Sequence, residues 1–167
     1  MVLRLLSEAD VHRLLSFEID NKRWFESYID PRSAAFYSVD GLREHIAEYL
    51  SLYQSQEMLP MLIVDDCGEI VGRLNLRDID MLDRSAYLGY RIGEAFINRG
   101  LAKQAVKELI AQIAYLNLKT LIAYVSADNI ASQKVLQHNG FLPIKTHEDY
   151  AVIKGAFVDC IEFHRSL

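Results

Sequence analysis

Asn98-Arg99-Gly100-Leu101-Ala102 stands where an extended run ends and the most regular helical pattern of the chain begins. The first turn of a helix carries backbone N–H groups without partners and a partial positive charge. Together these attract phosphate oxygens. Gly100 has no Cβ to hold an anion away from the backbone. Ala102 keeps the next position small, and Arg99 adds a cation. The segment is neither GxxxxGK[ST] nor GxGxxG. Taken alone, an Arg-Gly pair before a helix is more often a plain turn.

A second group lies further on. Asn129 and Ser132 are three residues apart, which places them on one face of a short helix, where they can offer hydrogen bonds to a polar ligand. The plainer reading is a capped surface helix stopped by Gly140. Carboxylates that could accept a proton are Glu148 and Asp149, where the penultimate strand leaves the sheet, then Asp159 and Glu94. Asp159 shares a strand face with Phe157, Ile161 and Phe163, and its simplest role is a hydrogen bond to neighbouring backbone. Cys160 and His164 share a face but stand about 13 Å apart at strand rise, so they form no dyad. His12, His45 and His147 have no ligand spacing, and no metal is expected.

The elements that must hold these residues follow from periodicity. Val2 to Leu6 reads as a strand. Ser7 can cap a helix from Glu8, with Val11, Leu14, Leu15 and Glu18/Ile19 in helical period. Asn21 to Tyr37 is an irregular aromatic stretch whose Trp24, Phe25 and Tyr28 read mainly as core. Asp40 can cap a second helix, with Leu42, Ile46, Tyr49, Leu50 and Tyr53 on one face. Met61–Asp65 and Glu69–Arg77 flank the turn Asp66-Cys67-Gly68 as a hairpin. Ser85–Ile92 is a strand, and Leu101, Ala102, Ala105, Val106, Leu109, Ile110 and Ile113 mark a long helix. Thr120–Val125 reads as a buried strand, and Asp128 can cap a short helix ending at Gly140. Phe141–Thr146 and Phe157–His164 close the chain as a hairpin. The order is β-α-α-β-β-β-α-β-α-β-β, an α+β arrangement with a mostly antiparallel sheet.

The 167 residues suit one domain, residues 1–167. Apolar residues make up 51%, enough for a core without disulfides or metal. The net charge of -5 argues against non-specific binding to nucleic acid or an acidic membrane. The two cysteines, Cys67 and Cys160, read as reduced thiols in a cytoplasmic protein. No apolar run approaches the roughly 20 residues of a membrane helix.

Taken together, these segments resemble the GCN5-related N-acetyltransferase (GNAT) superfamily, and within it the ribosomal-protein N-terminal acetyltransferases of the RimJ/RimL type. The likeness is carried by Leu88-Gly89-Tyr90-Arg91-Ile92, by Asn98-Arg99-Gly100-Leu101-Ala102 with its helix, by Asn129-x-x-Ser132 to Gly140-Phe141, and by Gly155-Ala156-Phe157-Val158-Asp159. Val71 to Leu76 is similar more weakly. The resemblance implies a GNAT-like mixed sheet flanked by helices and acetyl-CoA as acyl donor. It implies that Ile97, Asn98, Arg99, Gly100, Leu101 and Ala102 cradle the diphosphate. Ile97 departs from the Gln or Arg usual at the first position. Tyr90, Arg91 and Ile92 would pair their backbone with the pantetheine arm as an added strand does, and Asn129 would hydrogen-bond it too.

The reaction so implied is direct attack of an amine on the acetyl thioester. The acceptor is a protein N-terminal α-amine or a small amine. Leu136 stands where many superfamily members carry a tyrosine that protonates the departing thiolate. The resemblance offers Ser132 for that role and Glu148 or Asp149 as base. The competing reading is a CoA-binding sensor or interaction module without catalysis, and pairing into a homodimer is open.

Overall fold

A computed structural model describes all 167 residues. Seven strands form one sheet in the order β1-β2-β3-β4-β5-β7-β6. They are β1 (Val2–Leu5), β2 (Leu59–Val64), β3 (Ile70–Asp80), β4 (Ser85–Ile92), β5 (Thr120–Ser126), β6 (Leu142–Ile153) and β7 (Ala156–Ser166). The helices are α1 (Val11–Asp20), α2 (Lys22–Phe25), α3 (Val39–Gln54), α4 (Leu101–Gln112) and α5 (Ile130–His138). The α+β class is the one expected, and the element order differs only by the short α2, which falls in the stretch read as irregular.

Every strand pair is antiparallel except β4 with β5. That parallel pair joins only Ser85–Tyr87 to Thr120–Ile122. Beyond Tyr87 the two strands part. Gly93 donates its amide to the Val71 carbonyl on the β3 side. Backbone groups alternate sides along a strand, so Tyr90 and Leu88 turn theirs toward the gap that β5 has left.

The sheet separates two cores, because strand side chains alternate faces. On one face Ala86, Leu88, Leu121, Ala123 and Phe163 pack under Ala105, Val106 and Leu109 of α4 and Leu136 of α5. On the other, Leu62, Val64 and Ile70 pack against Leu14 and Phe17 of α1 and Leu42 and Ile46 of α3.

The helix starts agree with expectation only in part. Ser7 stands at the N-cap of the first turn from Glu8, as expected, while the side-chain bonds of that turn converge on Asp10. Its carboxylate accepts from the Ser7 amide and hydroxyl and from Arg4. A short 3-10 turn therefore precedes α1. Ser38, not Asp40, caps α3 by accepting from the Gly41 amide. Asn129, not Asp128, caps α5. Ser, Asp and Asn cap equally well, so where one lies near another the local sequence does not choose between them. The final hairpin is longer than its apolar pattern indicates, because β6 runs to Ile153 past a register break between His147 and Ala151.

Candidate active site

At the N-terminus of α4, Gly100 adopts the left-handed conformation with φ 75°. Asn98 does so too, at φ 59°. The backbone N–H groups of Asn98 through Lys103 donate to no group of the protein. A Cβ placed on Gly100 would meet no atom within 4 Å. Arg99 is exposed, its guanidinium 5.3 Å from the centre of the Phe96 ring. The result is a run of unpaired donors at a positive helix end, a setting suited to phosphate oxygens. Leu101 and Ala102 form its first helical turn, and Ile97 is exposed at its entrance.

The gap between β4 and β5 leads from this turn into the sheet. Tyr90 sends its side chain to the α5 face, where its hydroxyl lies 2.8 Å from Ser132 Oγ. Burial pushes the Tyr90 phenol up to about 12. Asn129 turns its Oδ1 inward to the Ser132 amide at 3.1 Å. It thus holds the helix end that carries Ser132. Leu136 is fully buried in the core, so no hydroxyl stands at its position.

Arg91 goes elsewhere than the expected backbone pairing along the gap. Its main chain faces β3, and its side chain crosses to the α1 face, where it donates to Glu18 Oε1 at 2.5 Å. Ile92 has its carbonyl engaged by the Trp24 indole N–H at 3.0 Å. Asn21 completes this anchor, its Oδ1 accepting from the Glu94 amide and its amide nitrogen donating to the Phe17 carbonyl. The helices α1 and α2 are thereby fastened to the end of β4.

Opposite the α4–α5 face lies a cavity of about 730 Å³. Its floor is Arg73, Asn75 and Arg77 of β3 and Gly89 and Arg91 of β4, and its rim is the segment from Ile29 to Phe36. Arg73 is buried and donates to Glu18 at 2.7 Å and to His45 Nε2 at 2.9 Å. Burial and the Arg73 charge push the His45 imidazole down to about 3, so it is neutral and accepts. Burial also lowers Arg91, to about 10, which leaves it a cation at neutral pH.

Glu148 and Asp149 lie in the register break of β6, both exposed. Asp149 has φ 50°, and its amide is held by Asp159 Oδ1 at 3.0 Å. Asp159 is therefore a backbone-bonded carboxylate, the simpler of its two readings. Glu94 is exposed just past the C-terminal end of β4, beside α1.

Pattern reading missed a group on the same face as the cavity. Glu162 places one carboxylate oxygen 2.6 Å from His147 Nε2 and the other 2.5 Å from His164 Nε2. The hydrogen bond with His147 comes first among the contacts that hold Glu162 below the usual carboxylate range. Tyr124 and Tyr150 stack beside it with centroids 4.7 Å apart, and Tyr87 continues the row. The only early signal was the alternation of Glu162 and His164 on β7. Pairing with His147 depends on the β6 register, which no local spacing reveals.

The family model described as Acetyltransferase (GNAT) domain matches residues 1–142. The chain belongs to this family. It is 27% identical over 143 residues to the probable N-acetyltransferase YjcK of Bacillus subtilis, covering 83% of this chain and 78% of that protein. The structure of ribosomal-protein-S5-alanine acetyltransferase from Vibrio fischeri superposes with a TM-score of 0.93 at 22% identity, over 98% of this chain and 91% of the other. RimL, a ribosomal L7/L12 alpha-N-protein acetyltransferase solved in complex with coenzyme A, superposes with a TM-score of 0.92 at 24% identity, over 99% and 93% of the two chains. The GNAT fold and the use of acetyl-CoA as acyl donor are thus those expected. No helix of the GNAT chain is long and apolar enough to cross a membrane.

Proposed function

We propose that this GNAT acetyltransferase moves the acetyl group of acetyl-CoA directly onto the α-amine of a protein N-terminus or onto a small amine. The observation that carries the reading is the gap between β4 and β5. It runs beside a phosphate-suited helix end on one face and, across β4, an open cavity on the other.

In this reading the amides from Asn98 to Lys103 hold the diphosphate. The free backbone edges of Leu88 and Tyr90 align the pantetheine arm, and the Tyr90 amide is turned toward the thioester oxygen as an oxyanion donor. Ser132, hydrogen-bonded to Tyr90, gives a proton to the leaving sulfur. Glu162 with His147 takes the proton from the amine, directly or through water. Glu148 and Asp149 are the other candidates for that proton, and both lie beside the same row of rings.

The test is thiol release from acetyl-CoA with peptides and small amines, with the acetylated atom located by mass spectrometry. Acceptor-dependent release with an N-acetylated product is expected. Coenzyme A binding with no acceptor-dependent release would favour a sensor module. Glu162→Gln should cut kcat by about a hundredfold and remove the acidic limb of the rate profile. If Glu148→Gln or Asp149→Asn does this instead, the base lies in the β6 bulge.

A paired subunit is also part of the reading. The free edge β6 exposes Leu142 and Ile144, which favour burial. Sedimentation of the wild type against Ile144→Glu checks it, with a dimer that the charge splits as the expected result.

A further inference from the structure

Four arginines face the cavity: Arg32, Arg73, Arg77 and Arg91. Each guanidinium rests over an aromatic ring. The carbon-to-centroid distances are 4.5 Å for Arg32 on Phe36, 5.4 Å for Arg73 on Tyr49, 5.7 Å for Arg77 on Tyr87 and 4.6 Å for Arg91 on Phe25. Ring faces hold the cations in place without neutralising them.

The carboxylates do not balance this set. Glu18 alone serves both Arg73 and Arg91. Asp78 reaches Arg77 at 3.7 Å, with both groups more than half exposed, a weak pair in water. Arg32 makes no ion pair, although Asp30 lies on the same rim. Its Nε is buried and has no hydrogen-bond partner. Asn75 Oδ1 is in the same condition. Asn75 pairs across the ladder with Gly89, where a Cβ would meet nothing within 4 Å. The floor of the cavity is therefore open beside an unused acceptor, and its rim holds an unused donor.

We propose that the acceptor of this chain is a primary amine that also carries an anionic oxygen group, a carboxylate or a phosphate. Arg32 and Arg91 hold the anion, and Asn75 Oδ1 accepts a hydrogen of the amine. The inference rests on the acetyltransferase reading above. The guanidiniums also disfavour a second positive charge, so they favour the uncharged amine over the ammonium. That uncharged form is the nucleophile. Its nitrogen forms the C–N bond to the acetyl carbon as the C–S bond breaks. One proton leaves the nitrogen and one joins the sulfur, giving an N-acetyl amide and a free thiol. A polyamine carries the wrong charge for this cavity.

The experiment measures kcat/KM for matched acceptors: peptides beginning Ser-Glu, Ser-Gln and Ser-Lys, then phosphoethanolamine against ethanolamine, and spermidine. Anionic acceptors should exceed their neutral counterparts by about tenfold or more. The better of the peptide and phosphate arms identifies the source of the anion. Arg32→Gln should erase the preference, and Arg32→Lys should restore part of it. A melting curve checks that both variants fold. Acetylation of neutral or cationic acceptors at equal or higher kcat/KM overturns the proposal and leaves the transferase reading intact. Should no acceptor turn over, the transferase reading fails. Calorimetric titration of N-acetyl-Ser-Glu against N-acetyl-Ser-Gln peptides then decides the charge preference alone. Tighter binding of the Glu form, lost in Arg32→Gln, supports the anion site, and equal or absent binding of both overturns it.

Discussion

The hydroxyl of Tyr90 lies 2.8 Å from Ser132 Oγ, which couples the strand at the edge of the gap to the first turn of α5. Either oxygen can be the donor. If Ser132 gives its hydrogen to a leaving thiolate, Tyr90 can replace it. Ser132→Ala should lower kcat by about tenfold to a hundredfold, with little change in the KM for acetyl-CoA. Tyr90→Phe should lower it less. A lower melting temperature for Ser132→Ala with kcat intact would make the pair structural only.

Gly100 needs a two-variant comparison. Its φ of 75° strains any side chain, by roughly 1–2 kcal/mol. Gly100→Ala and Gly100→Glu share that cost, and only the second brings a carboxylate to the unpaired amides. Coenzyme A affinity measured by calorimetry should fall at least about tenfold further in Gly100→Glu than in Gly100→Ala. Equal affinities would place the diphosphate elsewhere.

Glu18 is the sole anion between two guanidiniums, and its side chain is 1% exposed. Glu18→Ala should destabilise the protein by about 3–5 kcal/mol in urea unfolding, because it strands buried charge. Arg91 should be the gentler partner to remove, since its side chain is 18% exposed against 3% for Arg73. A loss below about 1 kcal/mol would mean that water reaches the triad.

His45 sets a pH dependence. Its imidazole titrates at about 3 in the folded chain and at 6.5 when free. Between those values the unfolded chain binds a proton that the folded chain refuses. Stability from this group is therefore complete above 6.5 and falls as the pH drops toward 3. His45→Gln keeps an acceptor for Arg73 and should flatten the slope of unfolding free energy between pH 6 and 4, on the order of one proton's worth. An unchanged slope would assign it to carboxylates.

Much of the fold was legible because apolar periodicity is local. The spacing of Leu101, Ala105, Val106 and Leu109 gave α4, and these residues are core. The turn at Gly100 was legible for the same reason, since Gly100 and the helix it opens are contiguous. What could not be read is built by pairing. Glu18 meets Arg73 across 55 positions and Arg91 across 73. A trace did exist, because Glu18 falls within the apolar period of α1, where an ionised side chain needs a buried partner. The partner itself depends on the β3–β4 register, which brings Arg73 opposite Arg91. The group of His147, Glu162 and His164 was hidden by the register break in β6.

The parting of β4 and β5 after Tyr87 has a kinetic consequence. A sheet with one unzipped seam lets two reactants meet while each keeps its own doorway. Neither must leave before the other arrives, so initial-rate plots should intersect rather than run parallel. One molecule made by joining coenzyme A to an acceptor would lie through the seam like a thread through a buttonhole. Its grip should draw on both faces at once, exceeding what either half achieves alone.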